Sequence, residues 1–151
     1  MDISQISDQL YIAAHPQAED AAAIRDMGVR LLLNMIFIRP AEVYRQPPFR
    51  MLILRTFDSI FLPIPIGKLV RGVEAALPTM ENGESVLVYC REGRHRSVAM
   101  AASVLVGQGF SADDAMQLIS SRRAKADPYA WHIQWRIRKF EKIWRKSHSP
   151  R

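Results

Sequence analysis

The run Val29 to Ile36 is the strongest constraint on how this chain folds, because it is near-continuously apolar with only Arg30 and Asn34 interrupting it. A strand of that make-up is buried on both faces, the situation of a parallel sheet covered by helices. Parallel strands need long crossover connections, and helical patterns alternate with strand-like ones along the rest of the chain. The pattern predicts strands over Gln9 to Ala14, Val29 to Ile36, Met51 to Thr56 and Ser85 to Cys90. It predicts helices over Ala18 to Met27, Gly67 to Met80, Val98 to Val106, a segment from Ser111 to Arg122, and Pro128 to Lys146. Ser111, with Asp114 three places on, has the form of an N-terminal cap. Pro128 suits the first position of the last helix, with Asp127 as its cap. Val98 to Val106 is apolar nearly all round and is expected at the centre of the molecule. Arg39 to Phe49, with its three prolines, and Phe57 to Pro65 are expected to be irregular. The fold class is therefore α/β, with a central, mostly parallel sheet flanked by helices, and 151 residues suit one domain.

Charge is distributed unevenly. Of the formal +6, residues 122 to 151 hold a balance of +8 and the other residues −2, so the basicity belongs to the C-terminal segment. A solvated basic helix face or a site for an acidic partner both fit that segment. No nucleic acid is expected as partner, because no recognition motif accompanies the charge. No apolar run is long enough for a membrane span, and the N-terminus does not read as a secretory signal. A single cysteine excludes an intramolecular disulfide and suits a reducing, cytoplasmic setting.

That cysteine stands in the segment Cys90-Arg91-Glu92-Gly93-Arg94-His95-Arg96-Ser97. A strand brings a thiol to the end of the sheet, where α/β proteins bind ligands, and an apolar helix follows directly. A turn of this kind points successive backbone N–H groups inward and makes a cradle for an oxyanion. The helix N-terminus adds its unpaired N–H groups and the positive end of its dipole. Gly93 supplies freedom where the loop bends, and Arg96 offers a planar fork to two phosphate oxygens. Cationic neighbours and the helix terminus are expected to make Cys90 a thiolate at neutral pH, with Ser97 donating a hydrogen bond to it. An inert, buried cysteine would not keep three arginines and a histidine within six residues.

Cys90 to Ser97, as Cys-x5-Arg-Ser, resembles the signature loop of the protein tyrosine phosphatase superfamily. The order of elements over Gln9 to Trp144 resembles a compact dual-specificity phosphatase domain. The resemblance implies Cys90 as nucleophile, Arg91, Glu92, Gly93, Arg94, His95 and Arg96 as phosphate cradle, an acid from an upstream loop, and neither metal nor cofactor. Asp58, 32 residues before Cys90 in a loop rich in proline and phenylalanine, is the candidate acid. Asp127 is its rival, in an Asp-Pro arrangement like that of the low-molecular-weight tyrosine phosphatases. Asn34 either braces the phosphate loop or makes a hydrogen bond local to its strand end. His95 either contacts phosphate or faces solvent.

The expected substrate is a phosphorylated protein or a small phosphorylated molecule. Phosphotyrosine, with phosphoserine and phosphothreonine, is the first reading. The cationic Gly-x-His-Arg-Ser sequence also resembles relatives that act on inositol polyphosphates or pyrophosphates. Cys90-Arg91-x-Gly93 resembles a rhodanese loop too, but that loop is shorter and would place its last residue at His95. The chain departs from the superfamily at Tyr89, where histidine is usual. Phe57, Phe61 and Leu62 either wall a phosphotyrosine slot or belong to the core. Tyr129, Ile133, Ile137, Phe140 and Trp144 form a core-facing stripe on the last helix. Trp131 and Trp135 fall opposite it, either packed under a loop or facing a partner or membrane surface.

Overall fold

The computed structural model of the chain describes residues 1 to 148. Its elements in chain order are β1 (Ile3–Ser7), β2 (Leu10–Ala13), a 3-10 turn (Ala18–Asp20) running into α1 (Ala21–Asp26), and β3 (Val29–Asn34). A second 3-10 turn (Glu42–Arg45), β4 (Arg50–Ile53), α2 (Ile66–Glu81) and β5 (Ser85–Tyr89) follow. The chain then continues through α3 (Arg96–Gly107), α4 (Ala112–Arg122) and α5 (Trp131–Ser147).

The sheet order is β1-β2-β5-β3-β4, with β1 antiparallel to β2 and every other pairing parallel. β5 and β3 hold the middle, as their apolar sequences require. Ala13 pairs with Tyr89, Tyr89 with Asn34 and Asn34 with Ile53. The four parallel strands therefore finish on one line, and Cys90 emerges from the centre of it.

α3 packs against β2 and β5 and touches α2, α4 and α5 as well. Ser97 to Val106 are all buried, which is why that helix has no polar face. α2 crosses it so closely at Gly72 that an added Cβ would lie 2.4 Å from the Met100 sulfur. Ser111 caps α4 as its sequence predicts, accepting from the Asp114 N–H at 3.0 Å.

Several expectations need correction. β1 had no sequence signal, because among its alternating residues only Ile6 is fully buried. α5 starts at Trp131, not Pro128; Asp127 instead accepts from the Ala130 N–H at 3.2 Å and closes a turn ahead of the helix. That shift takes Tyr129 off the buried stripe and leaves it 51% exposed, whereas Ile133, Ile137, Phe140 and Trp144 are buried. Phe57, Phe61 and Leu62 are exposed and not core. Trp131 and Trp135 lie open to solvent, not under a loop. The basic segment is not wholly a solvated face either, since Arg123 and Arg136 are buried.

Candidate active site

The strand β5 ends at Tyr89, and Cys90 lies 3% exposed at the floor of a hollow of about 210 Å3. Asp58, Arg91, Glu92, Arg94, His95 and Arg96 line the same hollow. Of the predicted site residues, all but Ser97, Gly93 and Asn34 thus border one cavity, and Ser97 and Gly93 touch the thiol from behind. Ser97 Oγ is 3.1 Å from Cys90 Sγ, and the Gly93 N–H donates to that sulfur at 3.2 Å.

The loop conformation has a simple origin. Four consecutive carbonyls of the turn are held from outside: Arg91 by the His15 N–H at 3.2 Å, Glu92 by Arg123 Nη2 at 2.9 Å, Gly93 by Arg123 Nε at 2.8 Å, and Arg94 by the Asp127 N–H at 3.0 Å. With its carbonyls drawn outward, the turn presents its N–H groups to the interior, the condition for an anion nest. Gly93 is required there twice over. Its φ is +68°, and an added Cβ would lie 2.8 Å from the Ala13 carbonyl oxygen and 2.6 Å from Arg123 Nη2.

Arg123 was not anticipated as part of the site. Its side chain is 2% exposed, its Nη1 lies 2.9 Å from Asp2 Oδ1 and donates to Ser4 Oγ at 3.0 Å. Lys125 meets the same carboxylate at 2.8 Å. The neutralising cations hold the Asp2 carboxyl below its ordinary range even though partial burial pushes the other way. The fork of Arg123 therefore joins β1 to the Cys90–Arg96 loop, across a sequence separation that hides it from pattern reading.

Burial alone would raise the Cys90 thiol, yet its pKa lies below the ordinary value. The Ser97 hydroxyl and the backbone N–H groups of Ser97, Gly93 and Arg94 outweigh the burial by stabilising the thiolate. The depression thus comes from aligned hydrogen bonds, whereas the sequence pointed first to the arginine charges. Arg96, the first residue of α3, donates from Nη1 to the Thr56 carbonyl at 2.9 Å. That bond ties the cradle to the loop carrying Asp58, whose side chain is exposed at the rim.

His95 turns sideways: its Nε2 lies 3.5 Å from Asp127 Oδ2 and its ring 5.4 Å from that of His132. Asp127, the rival acid, is engaged in holding the loop's outer wall. Asn34 accepts from the Ile36 N–H through Oδ1 at 2.8 Å, the bond local to its strand end. Tyr89 is fully buried under the His15 ring, with centroids 5.8 Å apart, and burial pushes its phenol well above the usual range. Burial and the nearby Arg91 charge depress the His15 pKa, so this imidazole is neutral at neutral pH. Among the described residues, no cluster of histidine, cysteine and carboxylate side chains could hold a metal ion.

No protein-family model matches the chain. Dual specificity phosphatase 28 of Mus musculus is 29% identical over 130 residues, which cover 83% of this chain and 76% of that protein. A crystal structure of a mouse putative dual specificity phosphatase complexed with zinc tungstate superposes with a TM-score of 0.85 at 25% identity, covering 96% of this chain and 89% of the other. Human DUSP28 gives a TM-score of 0.85 at 23% identity over 96% of this chain and 99% of its own, a likeness of fold.

Proposed function

We propose that the chain is a compact, atypical dual-specificity phosphatase of the protein tyrosine phosphatase superfamily, like the relatives it resembles, and that it hydrolyses phosphomonoesters through a thiophosphate on Cys90. The observation that carries this reading is the loop turned inside out over a thiol of lowered pKa. In this reading the phosphoryl oxygens occupy the nest of N–H groups and the fork of Arg96. The Cys90 thiolate attacks phosphorus, the S–P bond forms, and the ester oxygen leaves as Asp58 protonates it. Asp58, now a carboxylate, takes a proton from water as that water attacks phosphorus. The S–P bond breaks, inorganic phosphate departs, and Ser97 steadies the returning thiolate. The cradle's donors are oriented before substrate arrives, so little reorganisation accompanies the transfer.

Residues 1 to 151 form one phosphatase domain in this reading, working in a cytoplasmic setting that keeps Cys90 reduced. The substrates are phosphotyrosine, phosphoserine and phosphothreonine in proteins. A second reading, inositol polyphosphates or pyrophosphates, is favoured by one observation: Arg91 and Arg94 are both exposed at the mouth. The basic outer face of α5 suits an acidic partner.

Phosphate release from phosphotyrosine, phosphoserine and phosphothreonine peptides and from an inositol polyphosphate, with Cys90→Ser as blank, tests the reading. Release from the peptides that vanishes in Cys90→Ser is the expected result. Release confined to the inositol compound moves the substrate to soluble polyphosphates with the mechanism intact. No release from any of them, with thiosulfate and cyanide yielding thiocyanate instead, overturns the phosphatase reading in favour of sulfur transfer.

A further inference from the structure

The loop Phe57 to Ile64, which carries Asp58 to the mouth, is apolar on its outside. Phe57, Ile60 and Leu62 are about half exposed, and Phe61 reaches 84%. Phe37, also exposed, lies against Phe57 with ring centroids 4.9 Å apart and continues the apolar surface on one side. On the other side the loop packs on the start of α5, where Phe57, Ile60, His132 and Ile133 border one crevice. His132 touches both His95 of the cradle and the 63% exposed Trp131, with ring centroids 5.4 and 5.7 Å apart. The mouth is therefore rimmed by large apolar side chains, while Arg55, Arg91 and Arg94 are exposed beside it.

A contiguous exposed apolar surface of this kind marks a place where another phase or molecule sits. The shape selects the occupant. Phe61 and Leu62 stand at the tip of a turn whose Phe61 N–H is held by Ser59 Oγ at 3.1 Å, so they project from the surface and line no groove. Projecting phenylalanine and leucine, a tryptophan at the flank and arginines between them match an interface of acyl chains, headgroups and anionic lipid.

We propose that this rim docks on an anionic phospholipid bilayer, with Phe61 and Leu62 entering the acyl boundary, Trp131 at headgroup level and Arg91 and Arg94 facing the lipid charge. Docked so, the pocket opens onto the membrane surface, and phosphate groups held there meet Cys90 without leaving it. Only this last consequence rests on the phosphatase reading; the docking itself does not.

The test is co-sedimentation of the full chain with vesicles of phosphatidylcholine, with and without phosphatidylglycerol. The wild type is expected to partition onto the vesicles containing phosphatidylglycerol and not onto phosphatidylcholine alone. Phe61→Ser with Leu62→Ser should lower that partition at least about tenfold, because each removes an apolar side chain from the boundary. The melting temperature and far-ultraviolet circular dichroism of the double variant should match those of the wild type, which shows the fold to be intact. Trp131 emission should shift to the blue on vesicle addition, with Trp131→Phe removing the shift. Absence of binding, or binding that the double variant retains in full, overturns the proposal; the second result would assign the attraction to the basic face of α5. A vesicle result of either sign leaves the Cys90-dependent turnover to be read separately, so the two inferences fail independently.

Discussion

Replacing Arg123 by lysine keeps one positive charge and removes the planar fork, which isolates what the fork does. In the wild type its Nε and Nη2 hold the Gly93 and Glu92 carbonyls at 2.8 and 2.9 Å, while Nη1 lies 2.9 Å from an Asp2 carboxylate oxygen. A lysine ammonium is a single point and cannot serve the two carbonyls and the carboxylate together. At least one bond from a charged donor to a carbonyl is lost, worth about 1.5–3 kcal/mol at a buried position. For a chain of this size that corresponds to a melting point lower by roughly 3–12 °C. The effect on turnover should exceed the effect on stability in significance. A carbonyl released from its tether lets the loop rotate, and a misplacement of about 1 Å in reacting groups costs on the order of a hundredfold. We therefore expect kcat/KM on a small aryl phosphate to fall about a hundredfold at a temperature where the variant is fully folded. The alkylation of Cys90 by iodoacetamide should also need higher pH, since the Gly93 and Arg94 N–H groups leave the sulfur. Asp2→Asn is the companion variant. Asp2 is 41% exposed, so its ion pair is screened and its removal should cost under about 1 kcal/mol with little change in turnover. Arg123→Lys with unchanged kcat/KM and an unchanged thiol titration would refute the idea that the carbonyl tethers hold the cradle open.

Gly93→Ala should lower both melting point and turnover, the latter at least about tenfold, because φ of +68° and a carbonyl 2.8 Å from the new Cβ leave no strain-free position; thermal unfolding and kcat measured together check it. Ser97→Ala should raise the Cys90 pKa, since the Ser97 hydroxyl is the foremost of the groups that lower it. The sign follows from ionisation: the reactive thiolate is lost as pH falls through the folded pKa, so the variant with its raised pKa should alkylate more slowly than the wild type at neutral pH and catch up toward alkaline pH. Asp58→Asn should reduce kcat on phosphopeptides by roughly 10²–10⁴-fold and much less on p-nitrophenyl phosphate, whose leaving group needs no proton; equal losses on both would count against the acid role.

The parts of the site readable from sequence are those that are local in the chain. Cys90, Gly93, Arg96 and Ser97 fall within one turn, and their chemistry follows from their spacing along a strand end and a helix start. Asp58 is farther off but announces itself by a loop of unusual composition. The outer supports do not, because each is ordinary where it occurs. Arg123 belongs to a run of basic residues that pattern reading assigns to a wet helix face, and only the third dimension reveals that it turns inward. His15 and Asp127 contribute backbone N–H groups, which have no identity in sequence at all. β1 escaped notice for a related reason: an edge strand with one fully buried side chain has too little periodicity to register. The start of α5 was misplaced because Asp127-Pro128 has the chemistry of a cap, and the turn it closes uses that chemistry just ahead of the helix.

The outside tethers of the Cys90–Arg96 loop also bear on the order in which the protein can become competent during synthesis. The loop itself is translated well before the residues that draw its carbonyls outward, since Arg123 comes 30 residues after Gly93. A nascent chain whose α4 has not yet left the ribosome holds the cysteine and the arginine of the cradle but lacks the fork that opens it. Such a chain has a loop whose Glu92 and Gly93 carbonyls are free to turn inward. If the loop holds an oxyanion, competence to do so arrives late, when Arg123 meets the loop and strand β1 and the Asp127 N–H then reaches the Arg94 carbonyl. Chains truncated just before Arg123 and just beyond Asp127 should therefore differ in oxyanion binding while differing little in length.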